Sequence, residues 1–163
     1  MGSAGRTLLL LAFSLYWGGL TFYTGFVVRI SHDVLADAMD GGLITQRVTS
    51  VLQMLGAVTV VLMAFNAIAV TRKVRSYGYV LIACTVVLAL ALMGLFLVHG
   101  QLDAIIDVED RVITDRENFD RGHRRYNQLT TIQWLASLAY LPVTLVAWRS
   151  TDARMESPSS DNS

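Results

Sequence analysis

Apolar and polar positions along the chain separate into blocks. Four runs stand out: Thr7 to Val28, Val48 to Val70, Gly78 to Val98 and Leu129 to Trp148. None of them holds a Lys, Arg, Asp or Glu. Each can cross a hydrocarbon core of about 30 Å, and each charge placed at a helix centre would cost about 2.5–3.5 kcal/mol. A chain in lipid must close its backbone hydrogen bonds within each segment, so the runs predict four helices. The expected fold is all-α, an integral membrane four-helix bundle. The transmembrane domain covers residues 1–149, and the Ser-rich segment 150–163 is expected to be a disordered polar tail. The first run, too long for a signal core and with no clear cleavage site, is expected to stay as a mature helix.

The segments between the runs suggest an orientation. Thr71 to Tyr77 carries Arg72, Lys73 and Arg75 and no acid, so the positive-inside rule makes it cytoplasmic. Both termini then lie inside. Arg29 to Arg47 and Gly100 to Asn127 lie outside with ten of the thirteen acids. The arginines divide almost evenly, so the unmixed short loop decides the assignment.

In the first outer segment, Ser31 is a candidate N-cap, and Val34, Leu35, Ala38 and Met39 form a short apolar face ended by Gly41-Gly42. That pattern predicts an amphipathic helix on the membrane surface. In the second, Leu102, Ile105, Ile106 and Ile113 continue a helical spacing, and Thr114 with Glu117 resembles a capping box. Helices three and four are therefore expected to extend beyond the membrane as a charged hairpin. Asp103, Asp107, Glu109 and Asp110 would stand on one arm and Arg121, Arg124 and Arg125 on the other, as an interhelical ion network.

Polar residues inside the spans are few and informative. Gln53, Asn66 and Gln133, with the hydroxyls of Tyr16, Tyr23 and Tyr140, should turn inward and find partners. Gln53 and Gln133 each sit a short way inside a span's outer end, where they can bond each other or a ligand. Ser14, Gly18, Thr21 and Gly25 fall at steps of four, three and four. They form a small-residue stripe where another helix, in the same chain or a second copy, can come close. Pro142 is expected to bend the fourth helix or free its backbone.

Candidate chemistry is sparse. His32, His99 and His123 all fall on the proposed outer side. With Asp103 one helical turn from His99, they are the candidate ligands for a transition metal or haem. No H-E-x-x-H, P-loop, nucleophile elbow or dinucleotide fingerprint occurs, and no charge lies deep in a span, so no catalytic signature appears. Lone Cys84 has no partner for an intramolecular disulfide. The formal net charge of zero gives no reason to expect a nucleic acid.

The "GGLTFYTGFVV" stretch, with Gly19, Phe22 and Gly25, resembles the first helix of the transmembrane-protein-205-like family, a domain of unknown function. A Phe, a His and an Asn before the last helix match Phe119, His123 and Asn127 here, although "HRRYNQ" is more basic than the family pattern. The resemblance covers residues 7 to 148 and implies four spans without an established activity. More distantly, the layout is similar to copper-resistance-protein-D-like and haem-associated small membrane proteins, which implies metal or haem handling at membrane-edge histidines. The expectation is a non-catalytic structural or interaction protein of the bacterial cytoplasmic membrane. It would meet the lipid bilayer and either a second copy or another membrane protein. The alternatives are haem or metal handling, and transport of a small solute.

Overall fold

A computed structural model describes residues 2–35, 37–107, 110 and 112–156, apart from the side chains at 32, 38, 155 and 156. The elements are α1 (Ser3–Phe22), a π-helical segment (Tyr23–Val27), α2 (Val28–Val34), α3 (Ala38–Thr71), α4 (Arg75–Asp103), β1 (Ile106–Asp107), β2 (Val112–Ile113) and α5 (Arg116–Glu156). Among the described residues, four helices are long and apolar enough to cross a membrane, and each contains one of the four apolar runs.

These helices pack in sequence: α1 against α3, α3 against α4, and α4 against α5, with further contacts of α5 to α1 and α3. One core cluster, built on Leu9, Phe13, Met63, Leu81, Leu88 and Tyr140, lies toward the chain termini. A second, of Tyr16, Leu20, Tyr23 and Leu52, lies toward the 35–37 and 104–115 connections, here called the loop end. The outward faces are strongly apolar. Leu15, Phe22, Phe65, Leu90 and Leu97 are all more than half exposed, whereas Gln53, Asn66 and Gln133 are buried at 3%, 0% and 1% exposure. Large apolar side chains outside and amides inside is the arrangement a hydrocarbon solvent favours.

The structure corrects four sequence expectations. The amphipathic surface helix does not form. Helix 1 runs on through the π segment and α2, and the Ser31 hydroxyl bonds back to the Val28 carbonyl at 2.8 Å. The chain turns at Leu35, and Asp37, not Ser31, caps the next helix by accepting from the Met39 N–H at 2.8 Å. Gly41-Gly42 lies inside α3 and does not break it. Gly41 is buried against the preceding turn, where a Cβ would sit in ordinary contact, 3.8 Å from Leu35 Cδ1.

The hairpin tip is not helical. α4 ends at Asp103, and Ile106 pairs with Ile113 in a short antiparallel ladder. β-branched isoleucines favour that pairing over another helical turn. Thr114 bonds to the Ile105 carbonyl through both its N–H (2.9 Å) and its hydroxyl (3.0 Å). The cap of α5 passes to Asp115, which accepts from the Asn118 N–H at 3.0 Å. Those bonds to Asn118 hold the Asp115 carboxyl below its usual range.

The expected ion network also differs. Asp103 accepts from Gln46 of α3 at 2.7 Å, and Arg121 pairs with Glu117 on its own helix at 3.3 Å. Asp107 accepts from the Asp110 N–H, and Arg124 and Arg125 are exposed. Glu109 lies outside the described residues. α4 and α5 are instead joined here by steric fit, since a Cβ on Gly122 would sit 2.8 Å from Leu102.

Lastly, residues 150–156 of the anticipated tail belong to α5, while 157–163 lie outside the described residues. Thr151 is buried, and Asp152 accepts two bonds of 2.7 Å from Arg6. Polarity alone predicts a tail here, whereas the long-range Arg6–Asp152 pair holds the segment to the first helix. Pro142 sits within α5, which runs continuously through it.

Candidate functional site

On α5, Tyr126, Thr130, Gln133, Ser137, Tyr140 and Thr144 recur at steps of four, three, four, three and four. A helix places such positions on one face, and here that face turns inward: Gln133, Ser137, Tyr140 and Thr144 are all at 1% exposure. Across from it, α3 contributes Gln53, Thr59 and Asn66, also buried. The two helices run in the same direction, so Gln53 meets Tyr126 and Asn66 meets Tyr140. The result is a polar seam through an otherwise apolar interior.

At the terminal end the seam closes around Asn66, while the buried Thr144 hydroxyl has no hydrogen-bond partner among the described residues. The Asn66 amide donates to the Tyr140 hydroxyl at 2.9 Å and accepts from Trp148 Nε1 at 2.9 Å. Tyr140 in turn donates to the Met63 carbonyl at 2.9 Å. Above Trp148 sits the Arg6 guanidinium, 5.1 Å from the ring centroid and paired with Asp152. Midway, the Thr59 hydroxyl lies 3.2 Å from the Ala12 carbonyl of α1.

The loop end is less completely bonded. Gln53 Nε2 reaches Tyr126 Oη at 3.3 Å and the Leu95 carbonyl at 3.5 Å. Around them lies a cavity of about 20 Å³ lined from α1, the π segment, α3, α4 and α5. Three of its lining groups, Tyr16 Oη, Tyr23 Oη and Gln133 Nε2, are buried without a hydrogen-bond partner among the described residues. Each such group left unsatisfied costs about 1–3 kcal/mol.

Local structure makes this cavity. In the π segment the Val28 N–H bonds to the Tyr23 carbonyl five residues back, so the turn is one residue wider than in an α-helix. Tyr23 opens that turn and is buried. Tyr16 fits because position 56 is glycine, where a Cβ would lie 2.8 Å from Tyr16 Cε2. Gln53 and Gln133 thus line one cavity, as their matching depth suggested, without a bond between them.

No family model, curated protein or solved structure matches this chain.

The histidines take separate roles. His99 Nε2 lies 3.0 Å from Ser50 Oγ and 3.5 Å from Asp103, with its ring beside Tyr126. His123 is exposed and stacks on Phe119 at 6.0 Å. The side chain of His32 lies outside the described residues. Among the described residues no three His, Cys, Asp or Glu form a group able to hold a metal ion. His99 and Asp103 make a pair, and His123 does not join it.

Of the small-residue stripe, only Thr21 is shown meeting another helix of the chain. A Cβ at Gly18 or Gly25 would meet nothing within 4 Å, and Ser14 is exposed. Thr21 instead accepts from Trp134 Nε1 at 3.0 Å, and the ring of Trp134 stacks on Trp17 at 5.9 Å. So bulk, not close approach, fills the α1–α5 seam there. The sequence reading missed Tyr126, Thr130, Ser137, Thr144 and Trp148. The polar heptad along α5 was the signal for the first four.

Proposed function

We propose that this chain is a non-catalytic integral protein of the bacterial cytoplasmic membrane, a four-helix bundle that works through contacts within the bilayer. Both termini are inside, because the Arg72–Arg75 turn is the one unmixed basic connection. The turn bearing Asp103, Asp107, Arg121, Arg124 and Arg125 then projects outside as a charged hairpin. The resemblance to the transmembrane-protein-205-like family fits this reading. The donor set gives haem or metal handling less support: His99 already shares its Nε2 with Ser50 and Asp103, and His123 stacks on Phe119.

The observation that carries the proposal is the α1 face at Ser14, Gly18 and Gly25, small positions at steps of four and seven that the chain's own helices leave open. Lipid supplies no hydrophobic drive between helices, so a smooth face of this kind favours association by close packing. A second copy is the partner to test. Donor- and acceptor-labelled protein in lipid vesicles should show energy transfer that survives dilution with lipid. Gly18→Leu with Gly25→Leu should abolish it while leaving the melting temperature unchanged, since both positions have room in the monomer. Wild-type protein without energy transfer would refute pairing through this face.

A second reading, passage of a small neutral solute, is favoured by the seam itself. Gln53, Asn66 and Gln133 share the interior with buried tyrosine, serine and threonine residues along most of the helix length.

A further inference from the structure

The loop-end cavity has features that neither membrane anchoring nor association uses. Its unpartnered groups are two tyrosine hydroxyls and one amide N–H₂. The hydroxyls give and accept, while the amide only gives, so the set is biased toward an acceptor. No Asp, Glu, Lys, Arg or His lines the cavity, so an ion would sit there uncompensated. At about 20 Å³, the space exceeds the roughly 10–15 Å³ needed for one water and is far smaller than a ring or a headgroup. Gln53 and Gln133 lie five and four residues inside their apolar runs, roughly 6–8 Å deep at the helical rise. One lining residue, Thr24, is also exposed, at the π segment between exposed Phe22 and Phe26. The cavity wall therefore thins toward the lipid-facing side of helix 1.

From this we infer that the cavity is a binding site for a single small neutral oxygen group, bridging Tyr16, Tyr23 and Gln133. Two sources carry that chemistry: a water molecule, and the hydroxyl or carbonyl end of a bilayer amphiphile reaching in past Thr24. The site lies within one chain and does not depend on pairing through α1. Occupancy would tie helix 1 to α5 at a level where the protein's own groups do not close the seam. The π segment, Gly56 and the buried Gln133 then serve one end, since each is needed to bring a polar atom to the same small space.

Two measurements on the full chain separate the sources. In the first, isotope-labelled protein in phosphatidylcholine vesicles is studied by water-edited solid-state NMR. A bound water transfers magnetisation to the Gln133 side-chain amide at short mixing times. Backbone amides in the middle of the spans, bonded within their own helices, stay dark and serve as the internal reference. In the second, detergent-solubilised protein is titrated with 1-decanol and, separately, with decane. An amphiphile site predicts that the alcohol alone raises the melting temperature, by about 3 °C or more near saturation. Tyr16→Phe with Tyr23→Phe should remove that rise, and the alkane control stands even if this variant folds poorly. Transfer to Gln133 assigns water, and an alcohol-specific rise assigns the amphiphile. Failure of both overturns the inference.

Discussion

Asn66 shows how one side chain can hold several helices. It gives a hydrogen to Tyr140 and takes one from Trp148, so removing it strands an indole N–H in the interior. Asn66→Leu should cost about 1–3 kcal/mol, the usual penalty for a buried donor left unpaired. Reversible unfolding in detergent measures it. The loss should shrink when Trp148→Phe is already present, because the stranded donor is then gone, and the double-mutant cycle gives the coupling directly. A full-sized loss in both backgrounds would mean that Asn66 acts by volume alone. Gln133 is comparably buried but has no partner for its Nε2 among the described residues. Two amides that look alike in the sequence therefore do different work.

At the level of elements, glycines mark where helices meet and where they do not. Gly78 opens α4 against the end of α3, and a Cβ there would lie 2.4 Å from the Thr71 backbone. Gly78→Ala must push backbone apart and should lower the melting temperature sharply. Gly42 sits in α3 with nothing within 4 Å of a built Cβ. Gly42→Ala should stabilise by about 0.5–1 kcal/mol, the helix-propensity gain of alanine. Thermal melts of the two variants side by side check the packing of α3 on α4. Similar melting shifts in both would contradict it.

For the whole molecule, orientation is the open question that the charges pose. With Cys84→Ser as background, Asn118→Cys stands in the α5 extension and Ser76→Cys near the short basic turn, both at exposed positions. In intact cells a membrane-impermeant thiol reagent should label the first and spare the second. The reverse pattern would place both termini outside. The Arg6–Asp152 pair, joining the first helix to the last, would then face the external medium.

The chain itself determined the four helices, since long charge-free runs have no other stable form in lipid. It also determined that Gln53, Asn66 and Gln133 would be buried, because an amide facing hydrocarbon is costly. Only the tertiary structure decided which of them are satisfied. A hydrogen bond depends on the rotation and depth of two helices, and neither leaves a periodic trace in one segment. For the same reason Gly41-Gly42 read as a break and became part of α3, and the isoleucines after Asp103 read as helix and became a strand pair. Asp152 read as tail and became the partner of Arg6, across 146 positions of sequence. Local pattern fixes what a segment can be. The neighbours that the fold brings to it fix what it is.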